Sequence, residues 1–279
     1  MKYFQCGRYR FPLAGAQSRT LVMGILNITP DSFSDGGKYM NLESAIIRAE
    51  QMIQDGVDII DIGGESSRPG SVPLSLDEEL SRVMPVIYAL RDCGKPLSID
   101  TYKPEVMREA LLAGADMIND IQGFRSAEAV AAVAESDAGL CVMHMQNQPT
   151  DMQLKPDYED VNQDVMHFLT ARVEALLKAQ VQRQRICLDQ GFGFGKTLDH
   201  NVSMFRHIQS LQTAMDLPLL VGVSRKSMLG ALTGREAPNR LAGSLAAALA
   251  AKQRCAAIVR VHDVAETVDA FKVWDALSN

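Results

Sequence analysis

Polar side chains follow short apolar segments at regular points along this chain of 279 residues. TLVMGILN ends in Asn27, VDIIDIG contains Asp61, and KPLSID ends in Asp100. Later apolar segments end in the same way, with Asn119, His144, Asp189, Ser224 with Arg225 and Lys226, and Arg260 with His262. Turns favour Asp and Asn on their own, but this succession, with Arg and Lys included, indicates one convergent site.

The residues of this set divide by the chemistry that they suit. Side chains that donate and accept hydrogen bonds suit the amide and amine edges of a flat heterocycle. This group consists of Asp100, Asn119, Asp189 and Lys226. A second group suits a diphosphate and a metal ion, because its members bind phosphate or share its cation. It consists of Asn27, Arg68, Arg260 and His262.

Two long polar segments follow the first two apolar ones. NITPDSFSDGGKYM (27–40) has Pro, paired Gly and small polar groups, so it is either a lid with a ligand contact at Asn27 or an ordinary connecting loop. In GGESSRPGS (63–71), the glycines permit close backbone approach and Arg68 offers a bidentate fork for phosphate. A surface turn with a stray Arg is the alternative there.

The segment DQGFGFGKT (189–197) is rich in glycine but fits neither common nucleotide motif. The phosphate-loop pattern requires glycine where Gln190 stands, and the dinucleotide pattern requires glycine where Lys196 stands. We therefore interpret it as a flexible glycine loop beside Asp189, which lets a flat ligand approach the backbone.

The basic segments SRKS and RVH follow the seventh and eighth apolar runs. Loops at these positions of a parallel barrel commonly bind phosphate, and the segments supply Arg225, Lys226, Arg260 and His262 for an anion. A solvated basic turn is the alternative. It is disfavoured because Arg260 lies inside an apolar run and needs a buried partner.

The histidines do not predict a transition-metal site. They show neither H-E-x-x-H spacing nor a Cys/His cluster, and they are His144, His167, His200, His207 and His262. Any metal is therefore expected to be Mg²⁺, which keeps several waters and shares oxygens with a substrate diphosphate.

Apolar runs alternate with amphipathic segments along the whole chain. The strand candidates are 20–27, 57–63, 95–100, 115–120, 138–144, 185–189, 217–224 and 256–262. The helix candidates are 43–56, 74–94, 103–114, 126–137, 160–181, 200–212, 239–255 and 262–277, with Pro85 expected to kink or divide the second. This alternation predicts an α/β fold of one domain over 1–279, a (β/α)₈ TIM barrel with its active site at the carboxyl ends of the strands. A doubly wound open sheet is the rival fold. Residues 1–19 are expected to form a short extension across the bottom of the barrel.

Composition narrows the class of partner and the compartment. The net charge is −6 and no basic block occurs, which argues against a nucleic-acid surface. The five cysteines are scattered without a C-x-x-C pair, as is typical of reduced thiols. The N-terminus lacks the apolar core of a signal peptide, and LAGSLAAALAA is too short to span a bilayer. We expect a cytoplasmic enzyme with small-molecule substrates.

Several segments closely match the motifs of one enzyme family. MGILNITPDSFSDGG (23–37) and DIIDIGGESSRPGS (58–71) are similar, almost letter for letter, to the two signature segments of the dihydropteroate synthases. SIDTYKPEV, MIND, GFGFGK, VGVSRKSMLG and IVRVHDV also align with that family. The sequence is thus identified as a member over essentially the whole chain after the first twenty residues.

The resemblance implies a transferase of folate biosynthesis. Such an enzyme joins 6-hydroxymethyl-7,8-dihydropterin diphosphate to 4-aminobenzoate and releases pyrophosphate. The resemblance also implies sulfonamides as mimics of the aminobenzoate, and a homodimer with the Ala-rich helix 239–255 as a packing face. The implied cofactor is Mg²⁺, with Asn27 as its ligand.

The resemblance also assigns roles to individual residues. The pterin would be held by Asp100, Asn119, Asp189 and Lys226, and the diphosphate by Ser67, Arg68, Arg260 and His262. The aminobenzoate would lie among Phe33, Arg68, Pro69, Phe194, Lys226 and Ser227. Further substrate contacts are expected at Met143 and Val261. The expected catalytic set is Asn27, Asp61, Arg68, Lys226, Arg260 and His262.

Two positions depart from the family pattern, and two rival functions remain. Gln190 stands where the family usually has Pro, and Ser67 where Thr is common, but neither change removes a required group. A pterin-binding methyltransferase would need neither the SRKS and RVH anion groups nor two closing loops. A catalytically silent pterin-binding paralogue is disfavoured by the intact set of Arg68, Lys226, Arg260 and His262.

Overall fold

The computed structural model describes residues 2–15, 17–28, 38–66, 70–147, 152 and 156–278. The chain begins with an antiparallel hairpin of β1 (Tyr3–Cys6) and β2 (Tyr9–Pro12). The strands that follow are β3 (Leu21–Asn27), β4 (Ile59–Gly63), β5 (Leu97–Asp100), β6 (Met117–Asp120), β7 (Gly139–Met143), β8 (Ile186–Asp189), β9 (Leu219–Val221) and β10 (Ile258–Val261).

These later strands, β3 to β10, are parallel and form a closed barrel. Each pairs with its neighbours in chain order, and β10 pairs with both β9 and β3. The predicted (β/α)₈ barrel is therefore confirmed. The open sheet is excluded, because the last barrel strand is hydrogen-bonded to the first. The strands are shorter than expected by up to three residues at one end, as for β9, which ends at Val221 rather than at Ser224.

The described part of the chain contains ten α-helices. They are α1 (Lys38–Gln54), α2 (Leu76–Leu90), α3 (Pro104–Ala113), α4 (Ala127–Val133), α5 (Val161–Lys178), α6 (Leu198–Arg206), α7 (Ile208–Met215), α8 (Ser227–Thr233), α9 (Leu241–Gln253) and α10 (Val264–Ser278). Their ends follow local signals. The Ser75 side chain accepts from the backbone N–H of Glu78 in a capping box before α2, and α3 ends at Gly114 with φ of 109°. None of these helices is long and apolar enough to cross a bilayer.

The helices differ from the sequence-based expectations at three points. The segment 200–212 is two helices that meet at His207, whose N–H bonds to the carbonyls of both Ser203 and Met204 as α6 closes. The short helix α8 follows Lys226, and its seven residues are too few to give a periodic signal. Pro85 does not divide α2, because it lies on the exposed face, where water can bind the carbonyl that it leaves unpaired.

Successive side chains of a strand point to opposite faces of the sheet. In this barrel, one set faces the helices and forms an outer core, and the other faces the barrel axis and forms an inner core. The outer core fills the space between barrel and helices and includes Val22, Ile60, Ile62, Val259 and Val261. The inner core fills the lower barrel and contains Leu21, Met23, Ile59, Met117, Cys141, Cys187, Leu220 and Ile258. The barrel is therefore a packed core below its mouth, not a pore.

The N-terminal hairpin closes the bottom of the barrel, as expected for the extension. Phe4 and Cys6 of β1 are buried in the inner core. Gly139, the first residue of β7, permits this close approach, because a Cβ there would lie 2.9 Å from the Phe4 ring and 3.1 Å from the Gln5 carbonyl oxygen. Since the hairpin plugs the lower end, we expect a ligand to reach the barrel mouth from the upper end.

Candidate active site

A polar layer lies directly above the apolar inner core. Residues two positions further along the same strands point into the barrel on the same side. The apolar residues Ile59, Met117, Cys187 and Ile258 are followed in this way by Asp61, Asn119, Asp189 and Arg260. Ser98 is followed likewise by Asp100. The strand alternation thus places four carboxylate or amide groups and one guanidinium at the mouth of the barrel.

Arg260 is the centre of this layer. Its Nε donates to Asp61 Oδ2 at 2.6 Å and its Nη2 donates to Asp100 Oδ2 at 2.8 Å. Asn119 Nδ2 donates to the same Asp61 oxygen at 3.3 Å. Asp61 is fully buried, so its influence on a ligand would pass through its hydrogen bonds with Arg260 and Asn119. The buried partner that the sequence requires for Arg260 is therefore present, and it consists of two carboxylates.

Because the Arg260 guanidinium is shared between Asp61 and Asp100, the pKa values of Arg260 and Asp100 are both shifted. Burial disfavours the charge of Arg260, but Asp61 and Asp100 outweigh it and raise its pKa above the ordinary value. Burial raises the pKa of Asp100 to about 7, because the attraction of Arg260 is offset by repulsion from Asp61 and other carboxylates. Asp100 is therefore an acceptor whose charge changes near neutral pH.

Asp189 and Lys226 form the opposite wall. Asp189 Oδ1 accepts from the backbone N–H of Gly191 at 2.7 Å, and Lys226 Nζ donates to the Phe192 carbonyl at 2.5 Å. The ammonium of Lys226 lies 4.7 Å from the centre of the Phe194 ring. Burial lowers the pKa of Lys226 to about 8, against the attraction of Asp189, and burial raises the pKa of Asp189. A flat ligand edge between them would meet both a donor and an acceptor.

The basic segments after the last two strands divide into one group at the site and one outside it. Ser224 Oγ lies 3.1 Å from His262 Nδ1 and accepts from the His262 backbone N–H at 3.2 Å, which fixes the imidazole beside Arg260 at the end of β10. Arg225 instead bonds Asp263, with Nε 3.0 Å from Oδ2. The charge of Arg225 is thus paired with Asp263, close to the carboxyl end of the eighth barrel strand, and anion binding by Arg225 stays a prediction.

The glycine loop 191–195 is held firmly, although the sequence indicated flexibility. Its three glycines have positive φ, and the Lys196 ammonium donates to the carbonyls of Gly191 and Phe194 at 2.9 Å each. Lys196 also lies 3.0 Å from His144 Nδ1. Asn201 Oδ1 accepts from Gly193 N–H at 2.7 Å. His144 is thus occupied by Lys196, and the loop carrying Phe194 is fixed against the end of β7.

The other residues expected to contact substrate differ in their position relative to the barrel mouth. Met143, at the end of β7, packs in a small cluster with Ile121, Met145 and Met152, and Phe194 packs against that cluster. Ser227 is exposed at the start of α8. Val261 lies in the outer core, because it is one residue beyond the inward-facing Arg260, so its side chain faces the helices.

Asn27 lies at the same level as Asp100. Gly63 pairs with both residues in the register of the sheet, Asn27 on one side and Asp100 on the other. A Cβ at Gly63 would lie 3.4 Å from Asn27 Oδ1 and 3.6 Å from the Asp100 Cβ. The glycine therefore leaves the amide and the carboxylate side by side at the mouth.

Four expected contacts lie outside the described residues, namely Phe33, Ser67, Arg68 and Pro69. Conversely, sequence reasoning missed Lys196 and Asn201, which hold the glycine loop. A signal existed for Lys196, since a lysine directly after five small or apolar loop residues requires a buried acceptor, and carbonyls of a glycine-rich turn supply it.

The fold and the site together define an α/β-barrel enzyme that binds a polar small molecule at the carboxyl ends of its strands. The family model described as pterin binding enzyme matches residues 23–262. The dihydropteroate synthase of Neisseria meningitidis serogroup C is 48% identical over 278 residues, which is 98% of this chain and 97% of that protein. The chain therefore belongs to the dihydropteroate synthase family of pterin-binding enzymes.

Solved structures agree with this assignment. The Burkholderia cenocepacia dihydropteroate synthase complexed with 7,8-dihydropteroate is 51% identical with a TM-score of 0.88, covering 99% of this chain and 96% of that one. The Yersinia pestis dihydropteroate synthase in complex with a sulfonamide drug is 43% identical with a TM-score of 0.91, covering 99% of each chain.

Proposed function

We propose that this protein condenses 6-hydroxymethyl-7,8-dihydropterin diphosphate with 4-aminobenzoate, giving 7,8-dihydropteroate and pyrophosphate. The observation that carries the proposal is the polar layer at the barrel mouth, where one guanidinium joins two carboxylates beside an amide. Membership of the dihydropteroate synthase family supports the choice of substrates. So does the product bound to the Burkholderia cenocepacia relative.

The pterin ring lies between the two walls in this proposal. Asp100 and Asp189 accept from its amine and ring N–H groups, while Asn119 and Lys226 donate to its oxygen and nitrogen atoms. All four positions are fixed from below by strand register or by bonds to the backbone. Binding of a flat ring therefore needs little rearrangement of the site.

The transfer requires no nucleophile from the protein. The C–O bond between the pterin methylene and the diphosphate breaks, and the electron pair leaves with pyrophosphate. The methylene carbon becomes positive, a charge that the electron-rich dihydropterin ring shares. The aminobenzoate nitrogen then forms the new C–N bond and releases a proton to water. The carboxylates of Asp100 and Asp189 stabilise the positive ring, so the contribution of the protein is positioning and charge stabilisation.

In this proposal, Arg260 and His262 bind the diphosphate, together with Ser67 and Arg68 of the segment 63–71. Mg²⁺ fits this site as an ion shared with the substrate. Asn27 offers one amide oxygen at the mouth, and the described residues contain no cluster of three His, Cys, Asp or Glu that could hold a metal alone. Waters and phosphate oxygens of the substrate would supply the other ligands of Mg²⁺. When bound, it would neutralise charge on the departing pyrophosphate.

In this proposal, the aminobenzoate lies beside the glycine loop, next to the pterin. Phe194 and Lys226 supply an aromatic face beside a cation, and Ser227 stands exposed next to them. The family resemblance implies that Phe33, Arg68 and Pro69 of the two signature segments also contact the aminobenzoate. Sulfonamides would compete for the same place, as suggested by the drug complex of the Yersinia pestis relative.

The assembly and compartment are further parts of the proposal. We expect a cytoplasmic homodimer that packs through α9, since this helix is rich in Ala and keeps only Ser244, Ala248 and Ala251 buried in the single chain. Small residues allow two helices to approach closely. Sedimentation equilibrium of the purified protein tests this, and a monomer at micromolar concentration would contradict it.

Turnover tests the proposed function. Purified enzyme is mixed with the pterin diphosphate and Mg²⁺, and pyrophosphate release is followed with and without 4-aminobenzoate. Release that depends on aminobenzoate supports the synthase. Binding without release would favour a silent paralogue. Failure to bind would make a pterin-binding methyltransferase the better account, to be tried with a reduced-folate methyl donor.

A further inference from the structure

Ser224 and His262 meet at the barrel mouth from the ends of two neighbouring strands. Ser224 lies in the loop after β9, and His262 directly follows β10. The two strands are paired in the barrel, which brings together side chains that are 38 residues apart in the sequence. Because His262 stands two residues beyond Arg260, the state of its imidazole ring bears on any anion that Arg260 binds.

Hydrogen bonds hold both the backbone and the ring of His262. Ser224 Oγ accepts from the His262 backbone N–H at 3.2 Å and lies 3.1 Å from the ring nitrogen Nδ1. From α1, Arg48 Nη2 donates to the His262 carbonyl at 3.0 Å. Ser224 is only 6% exposed, so solvent competes little for its hydroxyl. One buried hydroxyl therefore sets the environment of Nδ1.

The bonding capacity of this hydroxyl restricts where the ring hydrogen can be. A serine hydroxyl has one hydrogen to donate and two lone pairs with which to accept. The His262 backbone N–H occupies one lone pair. If Nδ1 carried a hydrogen, it would occupy the second lone pair, and the hydroxyl hydrogen would need a further acceptor. Among the residues that the structure describes, Ser224 Oγ bonds only to His262. A buried donor without an acceptor is unfavourable, so the hydroxyl hydrogen is best placed on Nδ1.

We propose that Ser224 is a positioning residue: it donates its hydroxyl hydrogen to His262 Nδ1, and so keeps the hydrogen of the neutral imidazole on Nε2. The hydrogen bond that one ring nitrogen makes determines the state of the other. With its hydrogen, Nε2 is a donor that attracts an anionic oxygen. With the hydrogen on Nδ1 instead, Nε2 would present a lone pair, which repels such an oxygen.

The inference deepens the proposed function and rests on it for the identity of the anion, which is the diphosphate of the pterin substrate. Ser224 itself makes no contact with the substrate in this inference. The position of the ring hydrogen is a property of the protein without ligand, so it is measurable independently of turnover. A serine with only a structural role would stabilise the loop after β9 without changing the ring nitrogens.

Three variants of Ser224 test the inference, with a matched control. Ser224→Ala removes the hydroxyl. Ser224→Thr and Ser224→Val have nearly the same shape, but only the first keeps a hydroxyl. The control is Ser244→Ala, because Ser244 is also buried, accepts from the Arg225 backbone N–H at 3.0 Å and donates to the Arg240 carbonyl at 2.8 Å. Both serines thus hold a backbone N–H, but the Ser244 hydroxyl donates to a carbonyl instead of a ring nitrogen.

The first readout is the nitrogen NMR spectrum of the isotope-labelled protein without ligand. It is recorded at about pH 8.5, above the ordinary pKa of histidine, and the His262 signals are identified by their loss in His262→Gln. We expect the hydrogen on Nε2, and Nδ1 as a hydrogen-bonded acceptor, in the wild type, in Ser224→Thr and in Ser244→Ala. In Ser224→Ala and Ser224→Val, the Nδ1 signal should move to the position of an unbonded acceptor.

The second readout is the affinity for the pterin diphosphate and for free 6-hydroxymethyl-7,8-dihydropterin, measured by titration calorimetry. Ser224→Ala and Ser224→Val should weaken binding of the diphosphate about fivefold, which corresponds to one hydrogen bond. Ser224→Thr should restore it. The affinity for the free pterin should stay at the wild-type value in all variants, because the groups assigned to the ring are untouched. These are Asp100, Asn119, Asp189 and Lys226.

The outcomes separate the inference from the proposed function. A hydrogen on Nδ1 of the wild-type ring overturns the inference, and so does an Nδ1 signal that is the same in Ser224→Thr and Ser224→Val. Equal losses of affinity for the diphosphate and for the free pterin in Ser224→Ala would mark a purely structural role and also overturn it. If the wild-type protein does not bind the pterin diphosphate, the proposed function fails, while the spectra without ligand still decide where the ring hydrogen lies.

Discussion

Arg260 and Asp100 are joined across the barrel mouth by a hydrogen bond of 2.8 Å from Nη2 to Oδ2. The two residues come from strands that are not neighbours in the barrel, and they belong to the diphosphate and pterin groups of the site respectively. Asp100 thus has one oxygen engaged by a cation before any ligand binds. A pterin bound at Asp100 and a diphosphate bound at Arg260 would be linked through this contact.

Replacing Arg260 should separate the two halves of the ligand. In Arg260→Met, we expect the affinity for the pterin diphosphate to fall by about 100-fold, and that for the free pterin by about tenfold or less, since charged hydrogen bonds are worth about 1.5–3 kcal/mol. Titration calorimetry with both ligands measures this. Arg225→Met is the control, because Arg225 is paired with Asp263 outside the site. Equal losses for the two ligands would contradict the diphosphate role of Arg260.

The affinity for free pterin should follow a bell-shaped pH profile. Asp100, an acid with its pKa raised from 3.8 to about 7 by burial, gains a proton as pH falls through that value and stops accepting. Lys226, a base with its pKa lowered from 10.5 to about 8 by burial, loses its charge as pH rises through that value. Affinity should therefore be highest between these values and fall on both sides.

The alkaline side of this profile can be assigned by a conservative variant. Lys226→Arg keeps a cation at all accessible pH values, so the decrease above about pH 8 should vanish while the decrease below about pH 7 remains. Fluorescence titration of the pterin over this range gives both limbs. A wild-type affinity that is constant from about pH 5 to about pH 9 would show that neither group titrates in contact with the ring.

Lys196 should be required for the shape of the glycine loop. Lys196→Met leaves the carbonyls of Gly191 and Phe194 without their donor, so we expect a loss of about 2 kcal/mol in the free energy of unfolding. The affinity for free pterin should also fall, because Asp189 and Lys226 both bond this loop. Urea denaturation and ligand titration measure the two effects, with Lys252→Met as the control. Intact pterin affinity in a destabilised variant would contradict the link.

Two glycines of the same loop should differ in their tolerance of alanine. At Gly191, with φ of 69°, a Cβ would lie 1.8 Å from the His144 carbonyl oxygen, so backbone must move. At Gly193, with φ of 80°, it would lie 3.5 Å from Lys226 Cδ, an ordinary contact. Gly193→Ala should cost about 1–2 kcal/mol of stability from the positive φ alone, and Gly191→Ala clearly more. Thermal unfolding compares them, and similar melting temperatures would refute the difference.

Much of the fold can be predicted from the sequence, because apolar runs alternate with amphipathic segments along the whole chain. Each barrel strand is a short, mainly apolar run, and strand alternation then fixes which residues face inward, as for Ile258 and Arg260. The polar residues at the mouth were accordingly found from their positions alone. Helices were harder to predict. Nothing in the periodicity of 200–212 marks a break at His207, and α8 is too short to show a period.

The finer parts of the site depend on contacts between distant segments, which the sequence does not display. Arg225 and Lys226 are adjacent and chemically alike, yet the first bonds Asp263 and the second faces Asp189. Arg225 also has a left-handed backbone, with φ of 57°. In the same way, the bonds of Lys103 to Glu65 and Glu79 span 38 and 24 residues of sequence.

The most direct test is the identity and amount of the product. The enzyme is incubated with the pterin diphosphate, 4-aminobenzoate and Mg²⁺, and both 7,8-dihydropteroate and pyrophosphate are quantified by chromatography with mass detection. We predict that the two products form in equal amounts and that neither forms without aminobenzoate. Pyrophosphate released without aminobenzoate, or in large excess over dihydropteroate, would show that water rather than the aryl amine captures the pterin, and would contradict the proposed condensation.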